Sequence, residues 1–375
     1  MEQIVVVGGG IVGSSAAYEL ASHGVPVTLV DREDEGHATQ AGAGIVSRVG
    51  ASRRQSGWPA LAAAAVAHYP RLVERLAADG VTDSGWSLTH GLIVGQPEER
   101  EALTELHAHL VAAGAREEGA IELLGPGEAE RLFPDIDRRL SAIHVEREAR
   151  VDGRAFRRSL RTALAHRGGR VLNGSATLVI EHGRVTGVTV GAERVAADRV
   201  LLCTGAWASE LTRELLPDLR IAPQRGQIVH LAVPGQETGR WPIVTGFHSH
   251  YLLPFPDRVV VGATRETGSG FDYRFTAAGV REVLSEALRI VPGLADATLR
   301  EMRIGFRPLS SDGMPVVGAV PGAEGLFLAT GMGPSGLTLG PVCGAILAGL
   351  ALGEPAPIDL VAFAPDRQAG RINRR

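Results

Sequence analysis

The chain opens on a continuous apolar run, residues 4–8 (Ile-Val-Val-Val-Gly), with no polar alternation. Such a run predicts a fully buried parallel strand. Residues 11–22 (IVGSSAAYELAS) have helical character and stop at Gly24. Residues 26–31 read as a second strand, which completes a βαβ unit. Alanine-rich amphipathic patterns predict helices over 60–79 and 98–114, with a strand at 86–94 between them. A short helix is predicted at 126–132 and an arginine-rich one at 153–167. Strands follow at 176–180, 184–190 and 198–203. The stretch 227–262, rich in Val, Ile and Leu and broken by proline, predicts antiparallel sheet. A helix at 276–291 precedes a strand at 326–330, a glycine-rich turn and a helix from about 337 to 352. The last dozen residues are polar and predicted to fray.

The glycines of the first turn carry chemistry. Gly8-Gly9-Gly10-Ile11-Val12-Gly13 fits G-x-G-x-x-G between a strand and a helix, and Asp31 ends the next strand, 23 positions after Gly8. That context predicts a dinucleotide site. Gly8 permits the tight turn, Gly10 lets a pyrophosphate approach, and Gly13 lets helix and strand pack closely. Helix amides face the phosphates. Asp31 is placed to accept from ribose hydroxyls and disfavours a 2′-phosphate. The small-residue stretch 38–47 suits a flat isoalloxazine ring lying against backbone, which favours FAD over NAD.

Composition narrows the chemistry further. All 38 basic residues are arginine. A Schiff-base lysine and a Walker phosphate loop are therefore excluded. GC-rich codon usage is the simplest source of the bias. A net charge of −4 gives no general attraction to nucleic acid or anionic membrane. Cys203 and Cys343 form neither a metal motif nor a disulfide framework and read as small buried hydrophobes, so no metal site is predicted. The start is acidic and its apolar run is interrupted by glycine, unlike a signal peptide. The apolar stretch Pro341 to Leu352 is too short to span a bilayer. These features predict a cytoplasmic enzyme without a transmembrane segment. Trp58, Trp86 and Trp241 read as core. If the segment before Tyr251 is a regular strand, His248 and His250 share one face and Ser249 and Tyr251 the other. Neither histidine is given a role.

More motifs follow in order. They are Val151-Asp152-Gly153, Leu202-Cys203-Thr204-Gly205-Ala206-Trp207 and Pro223-Gln224-Arg225-Gly226-Gln227. Then come Tyr251-Leu252-Leu253-Pro254, Val261-Gly262-Ala263-Thr264, Gly305-Phe306-Arg307-Pro308, Asp312-Gly313-Met314-Pro315 and Thr330-Gly331-Met332-Gly333-Pro334-Ser335-Gly336. With the βαβ start, this series resembles the FAD-dependent D-amino acid oxidase superfamily, particularly its glycine oxidase and D-amino acid dehydrogenase branches, over nearly the whole chain. The resemblance implies an α/β (α+β overall) fold. A Rossmann-like FAD-binding domain would comprise 1–85, 150–218 and 305–375. A discontinuous substrate domain, 86–149 and 219–304, would carry a mixed, largely antiparallel sheet that roofs the flavin.

The cofactor residues so implied begin with Gly8, Gly10, Ile11, Val12, Gly13, Asp31 and Arg32. Thr39, Ala43, Gly44 and Ile45 would lie along the flavin, and Leu178 would meet the adenine side through its backbone. Thr204, Gly205 and Trp207 follow. Gly331, Met332, Gly333, Ser335, Gly336, Leu337 and Thr338 would present the closing loop to the flavin N1–C2=O. No cysteine stands just before Asp312, where sarcosine oxidases attach flavin covalently, so the implied FAD is non-covalent. Arg307 resembles the carboxylate-binding arginine, whose planar fork suits that task. Tyr251 resembles the tyrosine that bonds the same carboxylate. Without the resemblance, Arg307 is equally an ion-pair residue and Tyr251 a sheet aromatic.

The implied reaction is oxidative deamination of a small, D-configured amino acid or glycine. Hydride passes from the α carbon to flavin N5, and the imino acid hydrolyses to a 2-oxo acid and ammonia. Dioxygen, a quinone or another carrier would accept the electrons. The alternatives are a secondary-amine oxidase or dehydrogenase acting on sarcosine, proline or hydroxyproline, a 2-hydroxy acid dehydrogenase, and a flavin subunit of a larger complex. A homo-oligomer is compatible with each. Sarcosine oxidases use a lysine beside the flavin, and its absence here ranks that chemistry second. Met332, where relatives often have His, and Pro334 depart from the pattern.

Overall fold

The computed structural model describes residues 2–47, 56–112, 119–246 and 249–369. Its centre is a six-stranded sheet in the order Val316–Ala319, Leu326–Thr330, Arg199–Leu202, Ile4–Val7, Val27–Asp31, Arg170–Asn173. The pairings are parallel except for that of Val316–Ala319. The apolar opening run explains the arrangement, because both of its faces are covered. Ile4 and Val6 pack with helices Ile11–Ser22, Trp58–Ala78 and Gly336–Ala351 on one side. Val5 and Val7 pack on the other against an antiparallel layer of three strands, Ala176–Glu181, Arg184–Val190 and Glu193–Ala196. Ile4–Val7 is flanked by Val27–Asp31 and Arg199–Leu202, so a crevice opens beyond the carboxyl ends at this switch point.

The second sheet has ten strands and is antiparallel apart from the pairing of Ile243–Gly246 with Trp86–Gly95. It contains the predicted 227–262 block. It also contains two long strands that the hydrophobic pattern did not predict, Ser141–Val151 and Thr298–Ser310. Thr298–Ser310 pairs with Ile221–Ala232 along its whole length, so the division expected at 305 falls inside a strand.

Four other expectations change. Residues 126–132 form only the 3-10 turn Glu128–Arg131 rather than an α-helix. His248 lies outside the described residues, and Ser249 has φ 64°, so a turn rather than a regular strand precedes Tyr251. By length and composition Gly333–Ala351 is apolar enough to cross a membrane, longer than the stretch read from sequence. It is instead 67% buried, wedged against the first helix so closely that a Cβ on Gly344 would lie 2.5 Å from the Val12 carbonyl. The fourth change concerns the polar end. Arg367 Nε and Nη2 grip the two carboxylate oxygens of Asp312 at 2.9 and 3.0 Å, and Gln368 is buried, so residues 364–369 are docked.

Burial alone would push the Asp312 carboxyl up, but the Arg367 fork and the Met314 N–H hold it well below the usual carboxylate range. A depressed folded-state value stabilises the fold above the unfolded-state value and fades as pH falls through it. Asp312→Asn is expected to cost roughly 1–2 kcal/mol at pH 7, read as a lower Tm. The gap to the native chain should narrow as pH falls below about 4.

Candidate active site

The crevice is a cleft of about 1730 Å³, open mouth included. Its lining runs from the glycine turn at Gly8–Gly10 and Asp31 to Tyr251 and Arg307 of the large sheet, an extended shape that suits a dinucleotide with a substrate beside it. Gly8 has φ 98°, and a Cβ on it would collide with the Cys203 carbonyl; one on Gly13 would collide with the Gly8 carbonyl. Both positions demand glycine. The helix that follows is capped from outside, Thr39 Oγ1 accepting from the Ile11 N–H at 2.9 Å.

One face of the large sheet forms the roof. Gly226 pairs with Gly305 and Gln224 with Arg307, while Gly262 pairs with both Ile228 and Tyr251. Directly paired residues share a face. A Cβ on Gly226 would stand 2.6 Å from Arg307 Nη2, and one on Gly262 2.8 Å from Tyr251 Oη. The guanidinium and the phenol therefore recline over glycines. Arg307 Nη1 donates to the Thr264 carbonyl at 2.9 Å, and among the described residues no carboxylate pairs with it. Burial pushes its pKa down, but a guanidinium remains charged. Burial pushes the Tyr251 phenol up, and the nearby charges of Arg307 and Arg265 act against that. Arg265 lines the same cleft from an exposed position. A desolvated cation without a counter-ion is costly, and a bidentate carboxylate is its natural partner.

Arg225 and Gln227 of the P-x-R-G-Q motif serve a different end. Arg225 donates to Glu266 at 2.5 and 3.0 Å and to the carbonyls of Asp272 and Arg274 at 3.0 and 3.2 Å. Gln227 donates to Glu266 at 2.7 Å and accepts from the Thr276 N–H at 3.0 Å. Segment 264–276, which carries Arg265, is thereby tied beside the cleft. Its Phe271 stacks on Trp207 with centroids 4.7 Å apart.

The chain matches the family described as DAO, FAD dependent oxidoreductase, over residues 3–350. It is a member of the DAO family. It is 41% identical over 367 residues to the uncharacterized oxidoreductase YurR of Bacillus subtilis (strain 168), covering 97% of this chain and 99% of that one. It is 32% identical to a glycine oxidase of Pseudomonas aeruginosa, covering 99% of this chain and 100% of that one. Among solved structures, iminodiacetate oxidase (IdaA) from Chelativorans sp. BNC1 superposes with a TM-score of 0.92 at 41% identity, covering 96% of this chain and 98% of that one.

DAO-family enzymes use FAD, and the cleft fits it. The glycine turn is a cradle that any Cβ would fill, and Asp31 and Arg32 stand at one end of it. Of the other residues expected from sequence, Gly10, Ile11, Val12, Thr39, Ala43, Gly44 and Ile45 line the cleft. So do Thr204, Gly205, Trp207, Met332, Gly333, Gly336 and Leu337. Gly331, Ser335 and Thr338 do not line it; Thr338 Oγ1 instead donates to the Ile45 carbonyl at 2.9 Å. Leu178 is also displaced. The cleft meets the start of its strand at Gly174, Ser175 and Ala176, and Leu178 packs into the core of the three-stranded layer. Asp31 is not open to ribose alone, since Arg157 Nη2 donates to its Oδ2 at 2.6 Å. Gly153 packs so tightly on the Thr39 carbonyl that a Cβ would collide.

Arg265, His37 and Arg157 are pocket or near-pocket residues that sequence reading missed. Arg265 follows the Gly262-Ala263-Thr264 motif directly, which was the available signal. Burial lowers His37 to about 4, so it is neutral near pH 7.

Gly226→Ala is expected to push the Arg307 guanidinium off the sheet. KM for a carboxylate substrate should rise about tenfold or more, on the order of 1.4 kcal/mol, with FAD content per chain unchanged. Steady-state kinetics and the flavin-to-protein absorbance ratio check both.

Proposed function

We propose that this DAO-family enzyme oxidises a secondary amine flanked by two carboxylates, an N-carboxymethyl amino acid of the iminodiacetate kind. The second guanidinium carries this reading: Arg265 reaches the same cleft as Arg307, and both act on Tyr251. An α-amino acid offers one carboxylate for one fork, whereas two carboxylates around one nitrogen use two. The similarity to iminodiacetate oxidase supports the same reading.

FAD, when bound, supplies the two-electron acceptor. Arg307 and the Tyr251 hydroxyl hold the carboxylate next to the carbon to be oxidised and so fix the direction of its C–H bond. Arg265, at the exposed side, holds the distal carboxylate. Two cations beside the nitrogen favour the neutral amine over the ammonium, which frees the lone pair that the oxidation needs. The substrate loses two electrons and two protons to become an imine. Water then cleaves the imine to glyoxylate and the remaining amine.

The second reading is deamination of glycine or a small D-amino acid, which needs Arg307 and Tyr251 alone. Anaerobic mixing with iminodiacetate, sarcosine, glycine and D-alanine, followed by flavin bleaching, separates the two. Iminodiacetate should bleach fastest. Arg265→Ala should raise its KM about tenfold while shifting glycine and sarcosine less than about twofold. Arg307→Ala should raise KM for all of them and retain FAD. Faster bleaching by glycine or D-alanine favours the second reading, and an unchanged KM in Arg307→Ala removes the clamp.

A further inference from the structure

We propose that Arg157 is a positioning residue for FAD, tying the glycine turn that receives the pyrophosphate to the carboxylate that ends the second strand. The side chain comes from helix Gly153–His166, far from the glycine motif in sequence, and is buried. Its Nε donates to the Gly9 carbonyl at 2.5 Å. Its Nη2 donates to Asp31 Oδ2 at 2.6 Å and to Glu33 Oε1 at 2.8 Å. Arg161, one turn later on the helix, donates to Glu33 at 2.6 Å and lies 3.4 Å from Asp31 Oδ2. Burial would push Glu33 up, but the two arginines bring it to about 2, so it stays charged near neutral pH. Ser14 Oγ is a second donor to the Gly9 carbonyl, at 3.0 Å.

The planar peptide turns this contact into a cofactor effect. The Gly9 C=O and the Gly10 N–H belong to one trans peptide unit and point in opposite directions. Two donors holding the carbonyl from behind aim the Gly10 N–H into the cleft that Gly10 lines. There, at a helix N-terminus, an anion binds. A Cβ on Gly9 would sit 2.5 Å from Asp31 Oδ2 and would displace the carboxylate that Arg157 holds. Holding a carbonyl and a carboxylate at once takes two N–H groups of one rigid fork. A lysine ammonium supplies the charge but not that geometry.

The test dilutes purified holoenzyme stepwise and reads released FAD by its recovered fluorescence. Arg157→Met should raise the FAD Kd about tenfold or more, and Arg157→Lys about threefold or more. The visible spectrum of the flavin still bound should not change, because the isoalloxazine end is untouched. Arg167→Met is the control: it removes a charge from the terminus of the same helix, where Arg167 pairs with Asp79 at 2.7 Å, and should leave Kd unchanged. If Arg157→Met yields no soluble holoenzyme, Ser14→Ala, which removes the other bond to the Gly9 carbonyl, must raise Kd about twofold or more. A native Kd in Arg157→Met or in that fallback overturns the proposal. So does full rescue by lysine, or an equal loss in Arg167→Met.

Discussion

The roof of the cleft is organised around a half-buried guanidinium that, among the described residues, no carboxylate neutralises. Arg307 sits on a sheet face, its Nη1 donating to the Thr264 carbonyl at 2.9 Å and to Gln224 Oε1 at 3.5 Å, over the flat space at Gly226. Partial removal of such a cation from water is unfavourable while it stays unpaired. The strand that carries it pairs with Ile221–Ala232 along its length, which fixes the backbone beneath the side chain. On the proposed function, that cost is recovered when a carboxylate arrives, which directs binding energy at one functional group. The glycines follow from this. Side chains at 226 or 262 would lift Arg307 or Tyr251 off the sheet and into the space a substrate must fill.

Such a roof works only if it is registered against the rest of the cleft, and ion pairs and hydrogen bonds contribute to that registration. Asp152 caps helix Gly153–His166 through the Ala155 N–H at 2.9 Å and pairs with Arg258 of the large sheet at 2.7 Å. Arg154 pairs with Glu301 at 3.0 Å, and Arg303 donates to the Gln40 carbonyl at 3.3 Å. Asp152 thus starts this helix while gripping strand Arg258–Gly262, and Arg154 in its first turn reaches Glu301 on the strand that carries Arg307. The same helix supplies Arg157 to the glycine turn. One helix therefore connects the phosphate end of the cleft to its roof.

Much of the fold was legible because its strands are apolar on both faces. Ile4–Val7 and Leu326–Thr330 are continuous apolar runs, and the turn after each must be glycine-rich for a strand to enter a helix so closely. Thr298–Ser310 was not legible. Its sequence, TLREMRIGFRPLS, carries arginines at 300, 303 and 307 that look like a solvated pattern, although Arg303 and Arg307 face the protein. Periodicity cannot distinguish an arginine facing water from one facing a ligand or an ion pair. Motif spacing singled out Arg307 but not Arg157, whose partners Gly9 and Asp31 lie more than a hundred positions away. Leu178 missed the cleft by two residues, a displacement of roughly 6–7 Å along a strand.

The absence of lysine takes on a different meaning beside these contacts. At exposed pairs such as Arg138 with Glu130, where Arg138 is 75% exposed, an ammonium would serve as well, and codon usage is sufficient explanation. Four buried or half-buried positions differ. Arg157 bonds a carbonyl and two carboxylates, Arg225 bonds Glu266 and two carbonyls, and Arg367 bonds both oxygens of Asp312 and three carbonyls. Arg307 bonds the Thr264 carbonyl and presents the rest of its fork to the cleft. Each uses several N–H groups in a fixed plane, which one tetrahedral ammonium does not offer. A bias that costs nothing at the surface thus supplies, at these four positions, the geometry that the glycine turn, the tied segment 264–276, the docked end and the proposed substrate clamp require.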